Sequence, residues 1–232
     1  DRTRFAISTE ETRYYLNGIY LHEAERDSTS ILRAVATDGH RLASTEIPLP
    51  AGAEGIPDVI LPRKTVAELR KLVDELSDEI LISLSPSKIR FSFDNLLLTS
   101  KLIDGTFPDY QRVIPEGNDR IMEVNRGSFA ESVDRVSAIS SEKSRAIKLS
   151  LSEGMLVLSA SSQEHGSAIE ELEVTYQGDQ LEIGFNASYL LDVTRQIKGE
   201  TARFSMADAA SPTVMQETDD DSALYVLMPM RV

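Results

Sequence analysis

The sequence predicts an α+β protein made of two similar tandem halves, each with two helices packed on antiparallel sheets. Three observations predict it. Short β-prone stretches recur along the chain, separated by turn signals such as Asp38–Gly39 and Glu153–Gly154. Each half holds one stretch whose apolar residues recur every three or four positions, the spacing of a helix with a single buried stripe. The elements then repeat in the same order across the polar, turn-rich Glu116–Gly117–Asn118–Asp119, which places a boundary between residues 1–116 and 117–232.

Each half opens with a short helix ending in related residues, Arg4–Phe5–Ala6–Ile7–Ser8 in the first and Arg135–Val136–Ser137–Ala138–Ile139–Ser140 in the second. Paired strands follow, Tyr14–Leu21 with Ile31–Thr37, then Ile147–Leu151 with Met155–Ala160 across the Glu153–Gly154 hairpin signal. In the first half Val59–Leu61 leads into a helix over Arg63–Leu76, striped by Val66, Leu69, Val73 and Leu76. In the second, Leu181–Phe185 leads into a helix over Ala187–Lys198, striped by Leu190, Val193, Thr194 and Ile197. Asn186 is suited to cap the start of that helix and Gly199 to stop its end. Further strands close each half: Leu81–Leu84, Lys88–Phe93 and Leu96–Leu102, against Ala202–Met206, Val214–Glu217 and Ala223–Met230.

Composition narrows the function. The 232 residues include no cysteine, so disulfides, thiolate zinc sites and cysteine nucleophiles are excluded. No apolar run approaches the ~18 residues that span a bilayer and no signal peptide precedes the first strand, so the expectation is a soluble cytoplasmic protein. The start at Asp1, with Phe5 and Ile7 already in pattern, reads as a truncation. With 38 acidic residues against 24 basic, a net charge of −14 argues against tight DNA binding, which draws on Lys and Arg to neutralise phosphates. It leaves room for loose enclosure by a locally basic face.

Catalytic patterns are weak. His40 beside Asp38 and Arg41 could be a base with a carboxylate to orient it, yet the Gly39 turn breaks strand geometry and no nucleophile motif is present. The other histidines, His22 and His165, share no ligand spacing with it. Asp219, Asp220 and Asp221 follow Glu217 in a run whose density could hold magnesium, but they lack the Gly and spacing of a calcium loop, and a solvated hairpin loop is the preferred reading. A small hydrolase using His40 and Asp38, or a metal at Asp219–Asp221, is therefore the competing function; a direct DNA binder is a third. Arg63, Lys64, Arg70 and Lys71, with Arg195 and Lys198, give the two long helices basic free faces, the ordinary condition of a solvated helix. Tyr14 and Tyr15 suit either one core ring and one surface ring or a pair that stacks on bases.

The final run, Tyr225–Val226–Leu227–Met228–Pro229–Met230–Arg231–Val232, is apolar where a terminus is usually polar. It is either a core strand or a wall of an apolar groove, for which flexible thioethers are suited. Together with Ala36–Thr37–Asp38–Gly39–His40–Arg41–Leu42–Ala43 and Gly105–Thr106–Phe107–Pro108–Asp109–Tyr110–Gln111–Arg112–Val113–Ile114–Pro115, it resembles the bacterial sliding-clamp family, the β subunits of DNA polymerase III. The similarity runs on through Tyr14–Tyr15–Leu16–Asn17–Gly18 and Ile183–Gly184–Phe185–Asn186.

The resemblance implies tandem DNA-clamp, or processivity-fold, domains, namely the family's middle and C-terminal domains with its N-terminal domain absent. It implies a processivity factor without catalytic residues, cofactor or metal, which encircles duplex DNA irrespective of sequence. Its partners would be the polymerase III catalytic subunit, the clamp loader, and other polymerases and repair proteins bearing short peptide motifs. Their groove would be formed by Leu16, Thr37, Gly39, His40, Arg41, Leu42, Pro108, Arg112, Val113 and Pro212 with Val226, Leu227, Met228, Pro229, Met230 and Arg231. Arg41 and Arg112 would contact polar groups at the rim. Tyr14, Tyr15, Arg63, Lys64, Arg70, Lys71, Arg195 and Lys198 would face DNA. Ala138, Ile139, Glu142, Lys143, Glu164, Glu170 and Glu171, beside an edge strand over Ala168–Tyr176, would meet the neighbouring subunit of a homodimeric ring. Without the N-terminal domain the chain would keep the groove, lose the ring and remain monomeric.

Overall fold

The chain folds as two units, Asp1–Asp109 and Tyr110–Val232, in a computed structural model that describes residues 1–73, 79–93, 96–140 and 145–232. The division falls before the Glu116–Asp119 turn. Asn118 donates from Nδ2 to the carbonyls of Ser205 and Pro212, both at 2.9 Å, which fastens that turn to the second unit.

In the first unit, one 3-10 turn covers Arg4–Ala6 and another Tyr14–Leu16, followed by β1 (Gly18–Arg26), β2 (Thr29–Thr37), β3 (Arg41–Pro48) and β4 (Val59–Pro62). Helix α1 (Arg63–Val73) precedes β5 (Leu81–Leu84), β6 (Lys88–Phe93) and β7 (Leu96–Lys101). The strands order as β3-β2-β1-β4 and β5-β6-β7, with antiparallel pairing. β1 and β2 pair with Leu21 opposite Ala34, through a turn whose Asp27 and Ser28 both have positive φ (49° and 62°). That is a tight hairpin made without glycine, by residue types that tolerate the left-handed region unequally well.

One core cluster of this unit comprises Val59, Leu61, Ile89, Phe91 and Phe93, and Val66, Leu69 and Leu72 of α1 pack against it. The expected stripe placed Val73 in that role, but Val73 is 37% exposed and Leu72 takes its place; Leu76 lies outside the described residues. Where a short helix was expected at Arg4–Ser8, only the 3-10 turn forms, so α1 is the one α-helix described in this unit.

The second unit runs β8 (Arg120–Asn125), α2 (Arg126–Ser137), β9 (Ala146–Ser152), β10 (Met155–Ser162), β11 (Gly166–Glu173), β12 (Thr175–Tyr176) and β13 (Leu181–Asn186). Then come α3 (Ala187–Thr194), β14 (Thr201–Met206), β15 (Thr213–Glu217) and β16 (Ala223–Leu227). Its strands order as β11-β10-β9-β13 and β12-β8-β14-β15-β16. Asn125 and Asn186 cap the two helices by accepting from the Ser128 and Ser188 amides at 3.0 and 2.9 Å, satisfying donors that a helix start leaves open. Helix α2 buries Phe129, Val133 and Val136, one face at helical spacing, and Phe129 meets Phe204 of β14 edge to face at 5.1 Å. Helix α3 ends at Thr194 with Arg195 as its cap, so Gly199 is not the stop. Instead the Gly199 amide donates to Glu217 Oε1 at 2.9 Å. Among the described residues no helix is long and apolar enough to cross a membrane.

Candidate functional site

The turn between β2 and β3 is built almost wholly from its own side chains. Asp38 Oδ1 accepts from the His40 and Arg41 amides at 2.9 and 3.0 Å, and its Oδ2 from Arg41 Nε at 3.1 Å. Thr37 Oγ1 accepts from the Gly39 amide at 3.1 Å and donates to the Arg41 carbonyl at 2.7 Å. Gly39 has φ +90°, a conformation that favours glycine. These bonds direct the Asp38 carboxylate to backbone and to Arg41, beside an exposed His40.

Arg41 was expected at a rim. It is instead 12% exposed, donating from Nη2 to the Phe5 carbonyl at 2.7 Å with its guanidinium 5.1 Å above the Phe5 ring. Leu16 (4%), Thr37 (9%) and Leu42 (2%) are buried beside the turn, leaving Gly39 and His40 at its surface. Arg13 reinforces the arrangement, bonding Glu10 at 2.7 and 2.8 Å and the Asp38 carbonyl at 3.2 Å. That hydrogen bond from Arg13 holds the Glu10 carboxyl below its usual range. Sequence reasoning passed over Arg13 and Phe5, because their value lies in contacts with residues far along the chain.

Pro108 is exposed on the first unit next to buried Phe107, whose ring stacks on Tyr20 at 4.8 Å. On the second unit Arg112 and Val113 are exposed on a 3-10 turn over Tyr110–Val113. The final apolar run divides within one residue. Tyr225 (2%), Val226 (2%) and Leu227 (1%) are buried strand. Met228 is 41% exposed, Pro229 and Met230 are half-buried and Arg231 is exposed. Pro212 is half-buried, its carbonyl occupied by Asn118.

Of the basic residues, Arg63 and Lys64 stand exposed at the start of α1 and Lys198 beyond α3. Arg70 pairs with Asp1 at 2.6 Å, Lys71 with Glu68 at 3.1 Å and Arg195 with Asp192 at 3.2 Å. Tyr14 is 54% exposed and meets the half-buried Tyr15 edge to face at 5.8 Å.

β11 is the outer strand of its sheet, and the expected edge over Ala168–Tyr176 divides. β11 ends at Glu173, while Thr175 and Tyr176 pair with Glu123 and Met122 of β8 in the other sheet. Ala138 caps α2 exposed, Ile139 is half-buried, Glu164 and Glu171 are exposed, and Glu142 and Lys143 lie outside the described residues. Glu170 accepts from Arg135 at 2.7 and 2.8 Å, and this bond, aided by Ser132, draws its carboxyl down to about 2. A depressed carboxylate contributes stability above its ordinary range and loses it as pH falls toward about 2. NMR titration of the Glu170 carboxyl is expected to show this low midpoint, and Arg135→Ala to return it to the usual carboxylate range. A Glu170 midpoint unmoved by Arg135→Ala would remove the assigned cause.

Asp220 accepts from the Ser222 amide at 2.9 Å and from its hydroxyl, so it is bonded within its own loop. Among the described residues no group of three metal-ligating side chains comes together, and the metal reading of Asp219–Asp221 has no geometry behind it.

Comparisons with known proteins bear on these surfaces. Residues 1–109 match the family model for the DNA polymerase III beta subunit central domain, and residues 111–231 the model for its C-terminal domain. Over all 232 residues the chain is 55% identical to a beta sliding clamp of Caulobacter vibrioides and 43% identical to one of Pseudomonas aeruginosa. It spans 62% of the length of each. It is similar throughout to a solved Bartonella birtlesii sliding clamp bound to griselimycin (TM-score 0.96, 52% identity, 62% of that chain covered). A C. crescentus beta sliding clamp solved with PEG gives TM-score 0.97 at 55% identity, with 61% of that chain covered. None of these likenesses supports the hydrolase.

Proposed function

We propose, from the premise that this chain belongs to the DNA polymerase III beta-subunit family of sliding clamps, that it supplies the partner-binding portion of a replication processivity factor. The observation that carries the proposal is the exposed Met228, followed by half-buried Pro229 and Met230, directly after a buried strand. An apolar thioether held toward solvent, as Met228 is, fits a surface that takes up apolar peptide anchors. His40, Gly39, Pro108, Arg112 and Val113 offer further exposed contacts, each on its own unit.

The role is non-catalytic. The clamp tethers polymerase to duplex DNA and raises its effective concentration at the primer end. Partners are the polymerase III catalytic subunit, the clamp loader, and other polymerases and repair proteins that carry short peptide motifs, acting in the bacterial cytoplasm. The chain spans 62% of the length of these relatives, and in the proposed full-length protein a head-to-tail homodimer would close the ring. β11, with exposed Ile169 and the Glu170–Arg135 pair behind it, is the proposed contact to the neighbouring subunit. Tyr14, Tyr15, Arg63, Lys64, Arg70, Lys71, Arg195 and Lys198 are the proposed DNA-facing groups. A net charge of −14 and the ion pairs of Arg70, Lys71 and Arg195 favour encirclement over tight one-sided binding.

The test is fluorescence anisotropy with a labelled Gln-x-x-Leu-Phe-type peptide. Saturable binding, competed by unlabelled peptide, is the expected result. Absence of binding to a folded chain would sink the peptide-site reading.

A further inference from the structure

We propose that Gly184, in the middle of β13, is a positioning residue for the peptide-contacting segment Met228–Arg231; this rests on the peptide-site reading above. The backbone at Gly184 does not itself call for glycine, since it is absent from the positive-φ positions. Its neighbours Ile183 and Phe185 are each 1% exposed, and glycine within such a strand gives up packing and order. What demands glycine is the chain that crosses it.

β13 is the last strand of its sheet, pairing with β9 on one side. On it the Met230 amide donates to the Gly184 carbonyl at 2.9 Å, an isolated antiparallel bridge. A Cβ at position 184 would stand 2.5 Å from the Met230 carbonyl oxygen and 2.6 Å from both methyl carbons of Val232. Those distances lie far inside van der Waals contact, and one obstacle is backbone, so a side chain here displaces the segment or breaks the bridge. Pro229 fixes its own φ and stiffens the link, so a shift at Met230 carries through to Met228. The bareness of Gly184 thus sets where both methionines stand, although it need touch no peptide itself.

Gly184→Ala is expected to weaken binding of the labelled Gln-x-x-Leu-Phe peptide about ten-fold or more. By hydrogen exchange, the Met230 amide should lose protection while the β9–β13 ladder, followed at Ile183 and Leu149, keeps its own. Adding Val232→Gly removes one of the two obstructing groups and should restore part of the affinity. Gly184→Ala that binds peptide as the parent does, with Met230 still protected, overturns the proposal. So does loss of protection across the whole ladder, which would mean the strand itself needs the glycine. If the parent chain binds no peptide, the peptide-site reading falls, and Met230 protection in Gly184→Ala still decides whether Gly184 positions the segment.

Discussion

Met228→Ala combined with Met230→Ala is expected to weaken peptide binding at least about ten-fold while the melting temperature moves only a few degrees. Met228 is 41% exposed and Met230 half-buried, so each truncation removes only part of the burial a core methionine provides. Roughly 1 kcal/mol per residue is the stability at stake, against ~2–5 kcal/mol for a core truncation. Calorimetric melting alongside peptide anisotropy separates the two cases. A large fall in melting temperature with affinity retained would identify the segment as core and leave the peptide to bind elsewhere.

Phe129→Ala is expected to do the reverse. Phe129 is fully buried on α2 and meets the Phe204 ring at 5.1 Å. Removing it loses the transfer energy of the ring and leaves a cavity, about 3–5 kcal/mol in all. That is a large share of the ~5–15 kcal/mol a domain has to spare. Urea unfolding followed by far-UV circular dichroism should show the second unit's transition at much lower denaturant. A loss below about 1 kcal/mol would mean α2 repacks around the gap.

Much of the fold was legible because it rests on local signals. Alternation located β9 and β10, Gly154 marked their hairpin, and Asn186 marked the start of α3 through the amide it accepts from. What failed depended on partners elsewhere in the chain. Asp27 and Ser28 turn β1 into β2 without the glycine that usually signals such a turn. Gly199 looked like a helix stop, but its bareness serves Glu217, whose Oε1 would lie 2.7 Å from a Cβ there. Leu72 replaced Val73 on the buried face of α1, a one-position shift that periodicity over so short a helix does not resolve. At the candidate site, residue type named Asp38, Gly39 and His40, yet only tertiary structure shows Arg41 turned inward to Phe5. The division between Leu227 and Met228 was equally hidden, since both are apolar and adjacent.

The Asp38–Arg41 turn has a thermodynamic consequence. Its backbone is already held by Asp38 and Thr37, so a ligand resting on it freezes nothing that folding left free. A ligand resting on Met228 or Met230 must instead still their rotamers, at about 0.5–1.5 kcal/mol for each side chain. Peptides that lean on the turn should therefore bind with the smaller entropic penalty. Those that lean on the methionines should bind through a wider range of shapes, and changes to their anchor residues should be felt chiefly in how fast they leave.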